Sequence, residues 1–391
     1  MHPSQEIYCE KSSRLKGRTV VLGITGSVAA VECFATVREL IRHGANVIPV
    51  LTQSAMDFVT PLSMEYASGN TPVIELTGRT EHVDLMAGSN ADVLLIYPAT
   101  ANTISKIANG IDDTTVTSMA TVALGSGVPV AIAPAMHDAM YRNPAVSANV
   151  EKLKSMGVTF IGPRMNGPRA RVASKDEIVA SVSRILVKDD LSGKRILIVG
   201  GRSEEPIDSM RIVTNRSTGL MAVKIAERAY HRGAEVELWM GGCSVPIPDY
   251  IETKRFDSVQ DLIGLSDSID HDIVIVPAAL ADFSPKMKAK GKIASDKGFD
   301  LALEPVPKVL PLIRKKCGKV IGFKAESGLT ENELVARARS RLEEYGLYAI
   351  VANDIDSAGK TSSSAIIVTS DKATNVSGAK ESIADSILDI C

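Results

Sequence analysis

The chain has 391 residues, long for one ordinary domain, and its length points to two or three. A content of 45% hydrophobic and 23% charged residues supports sizeable cores and excludes a disordered polar chain. The 44 Lys and Arg nearly balance 46 Asp and Glu, a formal net charge of -2. No global field therefore draws nucleic acid or an anionic membrane, and any anion site must be local. Cys9, Cys33, Cys243, Cys317 and Cys391 are scattered, with no CxxC pair, which favours a reducing compartment. Residues 114–137 lack Asp, Glu, Lys and Arg, but Gly125, Gly127, Pro129 and Pro134 interrupt them, so they are not read as a membrane span. Residues 1–17 mix Glu6, Glu10, Lys11 and Arg14 without an apolar signal core and read as a polar arm. The expectation is a cytoplasmic protein with no nucleic-acid or membrane partner.

In chain order, Thr19-Val20-Val21-Leu22 predicts a strand that gives way to Gly23-Ile24-Thr25-Gly26-Ser27. Val31, Phe34, Val37, Leu40 and Ile41 then recur at helical spacing up to His43-Gly44-Ala45, and Val47-Ile48-Pro49-Val50-Leu51 is the next strand, completing a βαβ unit. The runs 91–98 and 129–134 read as buried strands. After a polar break near 188–192 the pattern restarts: strand 194–199 ends in Gly200-Gly201, a helix covers about 218–231, and strands follow at 235–239 and 273–276. Continuous apolar strands alternating with helices predict an α/β fold, two Rossmann-like domains with largely parallel sheets covered on both faces. The expected division is the arm at 1–17, one domain at 18–188 and another at 191–391.

Ligands of open α/β sheets bind at the carboxyl ends of the strands. In the first half that edge carries Gly26-Ser27, Thr52-Gln53-Ser54-Ala55, Thr100-Ala101-Asn102-Thr103 and Ala133-Pro134-Ala135-Met136-His137. A tight βα turn is the bland reading of Gly26-Ser27; a phosphate cradled by backbone N–H groups is the functional one. His82, in Arg79-Thr80-Glu81-His82-Val83, is either a solvated histidine or an acid/base group. In the second half, Gly200-Gly201-Arg202 and the run Arg211 to Gly219 precede a helix. Pro277-Ala278-Ala279-Leu280-Ala281-Asp282-Phe283 adds a carboxylate and an aromatic face, and Lys286, Lys288, Lys290, Lys292 and Lys297 follow. These segments suit anion capture, or a capped helix beside solvated loops.

Taken together, Gly26-Ser27-Val28-Ala29-Ala30, Thr52 to Ala55, His82, Pro98 to Thr103 and Pro134-Ala135-Met136 resemble the flavin-dependent cysteine decarboxylases. Gly200-Gly201, Arg211 to Gly219, Ala278 to Phe283, Gly291-Lys292-Ile293, Ile321 to Glu326 and Ala352-Asn353-Asp354 resemble the phosphopantothenate-cysteine ligases. Their order along one chain is similar to the bifunctional phosphopantothenoylcysteine decarboxylase/phosphopantothenate-cysteine ligase family.

The resemblance implies a flavodoxin-like N-terminal domain and a C-terminal ligase domain. It implies FMN held by Gly26, Ser27, Val28, Thr52, Ser54, Thr100, Ala101, Asn102, Thr103 and Ala135, with His82 as acid/base and His137 at the substrate carboxylate. In the ligase half it implies Asn215 and Lys292 as catalytic, and Arg211 at the pantothenate. Ala278, Asp282, Lys292, Phe323 and Arg341 would bind CTP or ATP, with Mg2+ on the phosphates and its protein ligands unassigned. The substrates implied are 4'-phosphopantothenate, L-cysteine and 4'-phosphopantothenoylcysteine, and the assembly a homo-oligomer of trimeric flavin domains and dimeric ligase domains, a dodecamer.

Several positions depart from the family pattern. PxMNxxM appears as Pro134-Ala135-Met136-His137-Asp138-Ala139-Met140, with histidine for asparagine, and the flap-like run Gly162 to Arg171 contains no cysteine; its Arg164, Arg169 and Arg171 read either as partners for the substrate phosphate or as a solvated basic loop. KIKK appears as Lys292-Ile293-Ala294-Ser295, and Arg341 and Tyr345 stand where two lysines are usual. The alternative readings are a flavin prenyltransferase-like domain fused to a ligase, and a non-catalytic regulatory flavoprotein.

Overall fold

Strand β1 (Thr19–Ile24) is apolar along its length because both faces are covered. Val20, Leu22 and Ile24 enter one hydrophobic layer, while Val21 enters the opposite one with Leu94 and Ile96. The computed structural model describes residues 2–88, 90–166, 169–186, 189–294, 298–354 and 362–391. It divides into two compact units, residues 1–188 and 189–391.

In the first unit β1 pairs in parallel with β2 (Asn46–Leu51) on one side and β3 (Val93–Ala99) on the other, and β4 (Val130–Pro134) and β5 (Thr159–Phe160) follow. The order is β2-β1-β3-β4-β5. Because the chain leaves β1 for β2 and later resumes at β3, the connections diverge between β1 and β3, which opens a crevice at their carboxyl ends. Helix α1 (Cys33–Arg42) buries Cys33, Val37, Leu40 and Ile41, one stripe at helical spacing. Helix α2 (Glu81–Met86) packs on the helix Thr115–Ser126, and α3 (Ala101–Ala108) leaves the carboxyl end of β3.

Residues 2–17, expected to be a polar arm, are docked on this unit instead. Leu15 is fully buried in the core and Ile7 packs against it. Cys9 and Lys11 donate backbone hydrogen bonds to the carbonyls of Ile41 and Arg42, and Leu15 to that of His43. Two apolar side chains and the unpaired carbonyls at the end of α1 are enough to hold the segment down.

The second unit has the order β8-β7-β6-β9-β10-β11-β12-β13. Its strands are β6 (Arg195–Gly200), β7 (Glu235–Met240), β8 (Glu252–Arg255), β9 (Ile273–Val276), β10 (Val320–Glu326), β11 (Ala349–Asp354), β12 (Ser362–Thr369) and β13 (Ala373–Ala379). The first six run parallel; β12 and β13 add an antiparallel hairpin. Ile196 and Ile198 face one core and Leu197 and Val199 the other. Divergence here falls between β6 and β9. Helices α4 (Leu220–His231) and α6 (Lys380–Leu388) pack side by side on one face, and α5 (Glu331–Tyr345) precedes β11.

Candidate active sites

At the end of β1, Thr25 is buried and ties the two sides of the first crevice together. Its hydroxyl donates to the carbonyl of Pro98 at 2.6 Å and accepts from the Thr100 amide at 3.2 Å. Gly26 follows, and a Cβ there would lie 2.6 Å from the Cβ of Ser54, so only glycine lets the β1 and β2 ends approach this closely. Ser27 accepts from the Ala29 amide and reaches the Ala135 carbonyl at 3.5 Å, while the Ala135 amide donates to Ala99. Thr52 and Thr100 each cap a helical turn, Thr52 by accepting from Ala55 and Thr100 by accepting from Thr103 at 3.3 Å. Thr100 and Thr103 hydroxyls also meet at 3.1 Å. The structure thus gathers Gly26, Ser27, Thr52, Ser54, Thr100, Thr103 and Ala135 on the ends of β1 to β4, with Val28, Ala101 and Asn102 on the first turns that follow.

His137 caps the short helix Asp138–Tyr141, its Nδ1 accepting from the Ala139 amide at 3.2 Å. That bond selects the tautomer with the proton on Nε2, leaving an exposed ring with a donor. His82 lies on α2 and its Nδ1 is buried with no hydrogen-bond partner among the described residues. The described hydrogen bonds of the crevice do not include His82. The side chains of Arg164, Arg169 and Arg171, and residues 167–168, lie outside the described set, as does Lys297.

The glycine cradle against Ser54 keeps backbone amides approachable where a flavin phosphate would sit. The residues present fit the group.

In the second unit a cavity of about 700 Å³ opens at the carboxyl edge, lined by the segment leading into α4, by the ends of β9, β10 and β11, and by β12. Asn215, Ala278, Asp282, Phe323 and Arg341 all line it. Asn215 donates to the Ala279 carbonyl at 2.9 Å, and Ala279 is held by a backbone bond to Gly201. Gly201 has φ +79°, and a Cβ there would lie 2.8–3.0 Å from the Gly241 and Gly242 backbone, so a side chain has no room. Asp282 is paired with Lys308, and Arg341 lies over the Tyr345 ring at 4.8 Å, so both residues at the two usual lysine positions face the cavity.

Arg211 and Lys292 do not line it. Asp208 accepts from the amides of Ile293, Met210 and Arg211 and from the Arg211 guanidinium, and these bonds hold its carboxyl down at about 2. Arg211 also donates to the Ile293 carbonyl at 3.1 Å. The segment bearing Lys292 is therefore anchored beside Arg211 through Asp208, with the Lys292 side chain exposed.

Three contributors escaped the sequence reading. Thr25 sits inside a segment already singled out, yet its partners are 73 and 75 residues away. Asp208 carries no motif. Lys380 also lines the cavity; its only local signal is a lysine at the first position of a helix, where the macrodipole disfavours a cation.

Two units with largely parallel sheets, each with a crevice or cavity at the carboxyl edge of its strands, define a two-unit α/β protein. Residues 9–187 match the flavoprotein family model, and residues 191–391 match the DNA/pantothenate metabolism flavoprotein C-terminal domain. The chain is 45% identical to the coenzyme A biosynthesis bifunctional protein CoaBC of Thermococcus kodakarensis, covering 95% of this chain and 94% of that one. It is 34% identical to that of Methanocaldococcus jannaschii over 100% and 97% of the two chains, and 33% identical to that of Vibrio vulnificus over 88% and 89%. The chain belongs to the family of coenzyme A biosynthesis bifunctional proteins. Among the described residues no helix is long and apolar enough to cross a membrane.

Proposed function

We infer that the two activities of this coenzyme A biosynthetic enzyme, phosphopantothenate-cysteine ligation and phosphopantothenoylcysteine decarboxylation, are divided between its units. The carboxyl-terminal unit joins 4'-phosphopantothenate to L-cysteine. A carboxylate is a poor acyl electrophile, so a nucleotidyl group is transferred to it with loss of pyrophosphate, and the cysteine amine then displaces the nucleoside monophosphate. The observation that carries this reading is the convergence of Asn215, Ala278, Asp282, Phe323 and Arg341 on one cavity at the carboxyl edge. Asn215 orients the acyl group, Asp282 and Phe323 receive the base, and Lys292 and Arg211 approach from the segment tied down by Asp208. CTP is the first choice of nucleotide, with ATP as the alternative. Magnesium arrives on the triphosphate, which needs no cage of protein ligands; among the described residues no cluster of three His, Cys, Asp or Glu is placed to hold a metal ion.

The amino-terminal unit decarboxylates the product. Gly26, Ser27, Ser54 and Thr103 hold the FMN phosphate, and the turn at Thr100–Asn102, with Val28, Thr52 and Ala135, lies along the rest of the cofactor. When bound, FMN supplies reversible two-electron oxidation of the cysteinyl carbon–sulfur unit. His82 moves the proton, His137 donates from Nε2 to the substrate carboxylate, and the apolar strand ends exclude water. The enzyme works in the cytoplasm as a homo-oligomer. Its exposed apolar side chains, Val28, Val31, Leu62 and Tyr66 in one unit and Met210, Ile212, Phe283 and Leu303 in the other, support assembly through both.

The test supplies phosphopantothenate, cysteine, magnesium and CTP or ATP, and follows pyrophosphate, amide and carbon dioxide. His82→Asn is expected to retain amide synthesis and lose carbon dioxide release by roughly 100-fold or more, the range for removing an acid/base group. Lys292→Ala is expected to lose amide synthesis while still decarboxylating supplied amide. Loss of both activities in either variant would refute the division of labour.

A further inference from the structure

The ion pairs between α4 and α6 set the two helices parallel. Lys224 meets Glu381 at 3.0 Å, Arg228 meets Asp385 at 2.8 Å and Arg232 meets Asp389 at 2.8 Å, a step of four on both helices. Both amino-termini therefore lie at the carboxyl edge of the sheet. Neither has a capping side chain at its N-cap: Gly219 precedes α4 with φ +80°, and Ala379 precedes α6. By contrast α5 and the helix Val259–Ser266 carry complete capping boxes from Thr330 and Ser258.

Lys380 opens α6. It is only 7% exposed and lines the same cavity as Ser217, Thr218 and Gly219, the residues leading into α4. Among the described residues its ammonium makes no hydrogen bond or ion pair, and its neighbour Glu381 is already taken by Lys224. Of the other cavity cations, Lys308 is paired with Asp282, Lys324 with Glu326 and Arg341 with Glu344, while Arg216, on the segment leading into α4, adds a further positive charge to the same wall. A buried cation at the positive end of its own helix, beside a second positive helix end, is unfavourable in the absence of an anion. Burial lowers the Lys380 pKa, with Glu381 pulling the other way.

We propose that Lys380, with the first-turn amides of α4 and α6, forms the pole of the ligase cavity that receives the phosphate chain of the nucleoside triphosphate. This deepens the reading given under the proposed function and rests on it. A chain of phosphates, rather than a single carboxylate, matches a pole with three separate positive sources. Lys380 is then a nucleotide-positioning residue on the chain's last helix, distant in sequence from every other proposed nucleotide contact.

The test uses the full-length protein with magnesium. Lys380→Met keeps the length of the side chain and removes a buried charge, so its melting temperature is expected to be equal to or above the parent's. Its KM for the nucleotide, and its Kd for inorganic tripolyphosphate, are expected to rise about tenfold or more, the loss of one charge-assisted hydrogen bond. The KM values for phosphopantothenate and cysteine stay put, and Lys380→Arg recovers much of the nucleotide affinity. Unchanged nucleotide and tripolyphosphate binding in Lys380→Met would overturn the assignment, as would a rise confined to the KM for phosphopantothenate. Absence of any nucleotide binding by the parent would instead defeat the ligase reading itself.

Discussion

Gly26 illustrates how a single missing Cβ makes room for a ligand. The contact it avoids, 2.6 Å to the Ser54 Cβ, is shorter than carbon atoms tolerate, so Gly26→Ala must spread the β1 and β2 ends. Overpacking of this kind costs about 1–3 kcal/mol, and flavin affinity is expected to fall by roughly tenfold or more. The check is flavin content and absorbance of the purified variant beside parent protein; full retention of flavin at parent affinity would contradict the cradle. His137 makes a related point. It serves as the N-cap of Asp138–Tyr141, a position that asparagine also fills well, so a histidine here keeps the cap while changing the chemistry of the donor. Gly26 and the histidine substitution were visible in the sequence. The glycine's reason was not, because Ser54 is a neighbour only after β2 has paired with β1.

At the scale of elements, the docked segment 2–17 introduces a dependence on pH. His43, at the end of α1, hydrogen-bonds Ser12 at 2.7 Å and faces Glu39, Lys11 and Arg14. Burial and the nearby Arg14 push its pKa down to about 4 from the usual 6.5. Hydrogen bonding and ion pairing with Lys11 outweigh burial and lower that of Glu39. Both shifts are depressions, so the unfolded chain takes up protons first as pH falls. The histidine's contribution is whole above pH 6.5 and is lost as pH drops toward 4; the Glu39 contribution is lost over a lower range still. The melting temperature of the amino-terminal unit is expected to fall by several degrees between pH 7 and pH 4.5, and by less in His43→Gln, as followed by calorimetry. A profile identical in the two proteins would remove His43 as the cause. The sequence reads as a polar arm here, because two apolar residues, Ile7 and Leu15, weigh little among interspersed charges and much in a core.

At the scale of the whole molecule, four exposed apolar residues of the first unit lie on adjacent elements. Val28 and Val31 belong to the turn before α1, and Leu62 and Tyr66 to the helix Pro61–Ser68 that packs on α1, where Tyr66 stacks with Phe34 at 6.3 Å. Leu62 is 75% exposed, which is costly for a leucine left in water and typical of one covered by another copy. Leu62→Glu is expected to shift the protein to smaller species in sedimentation velocity while each unit stays folded. An unchanged sedimentation coefficient would remove this patch as the proposed assembly contact.

What the sequence by itself determined is local and repetitive: the apolar runs, the helical spacing of Val37, Leu40 and Ile41, and the small and hydroxyl residues after each strand. Those signals live within one turn or one strand, where backbone geometry dictates the period, and they sufficed for the α/β class and for the restart of the pattern in the second half. Tertiary structure alone decided which ends meet. Thr25 reaches Pro98, Gly26 reaches Ser54, Asp208 anchors Ile293, and Lys380 joins a cavity begun 165 residues earlier by Asn215. Each of these pairings follows from strand order and helix direction, which are set by burial of both sheet faces and leave no trace in the spacing of any single segment.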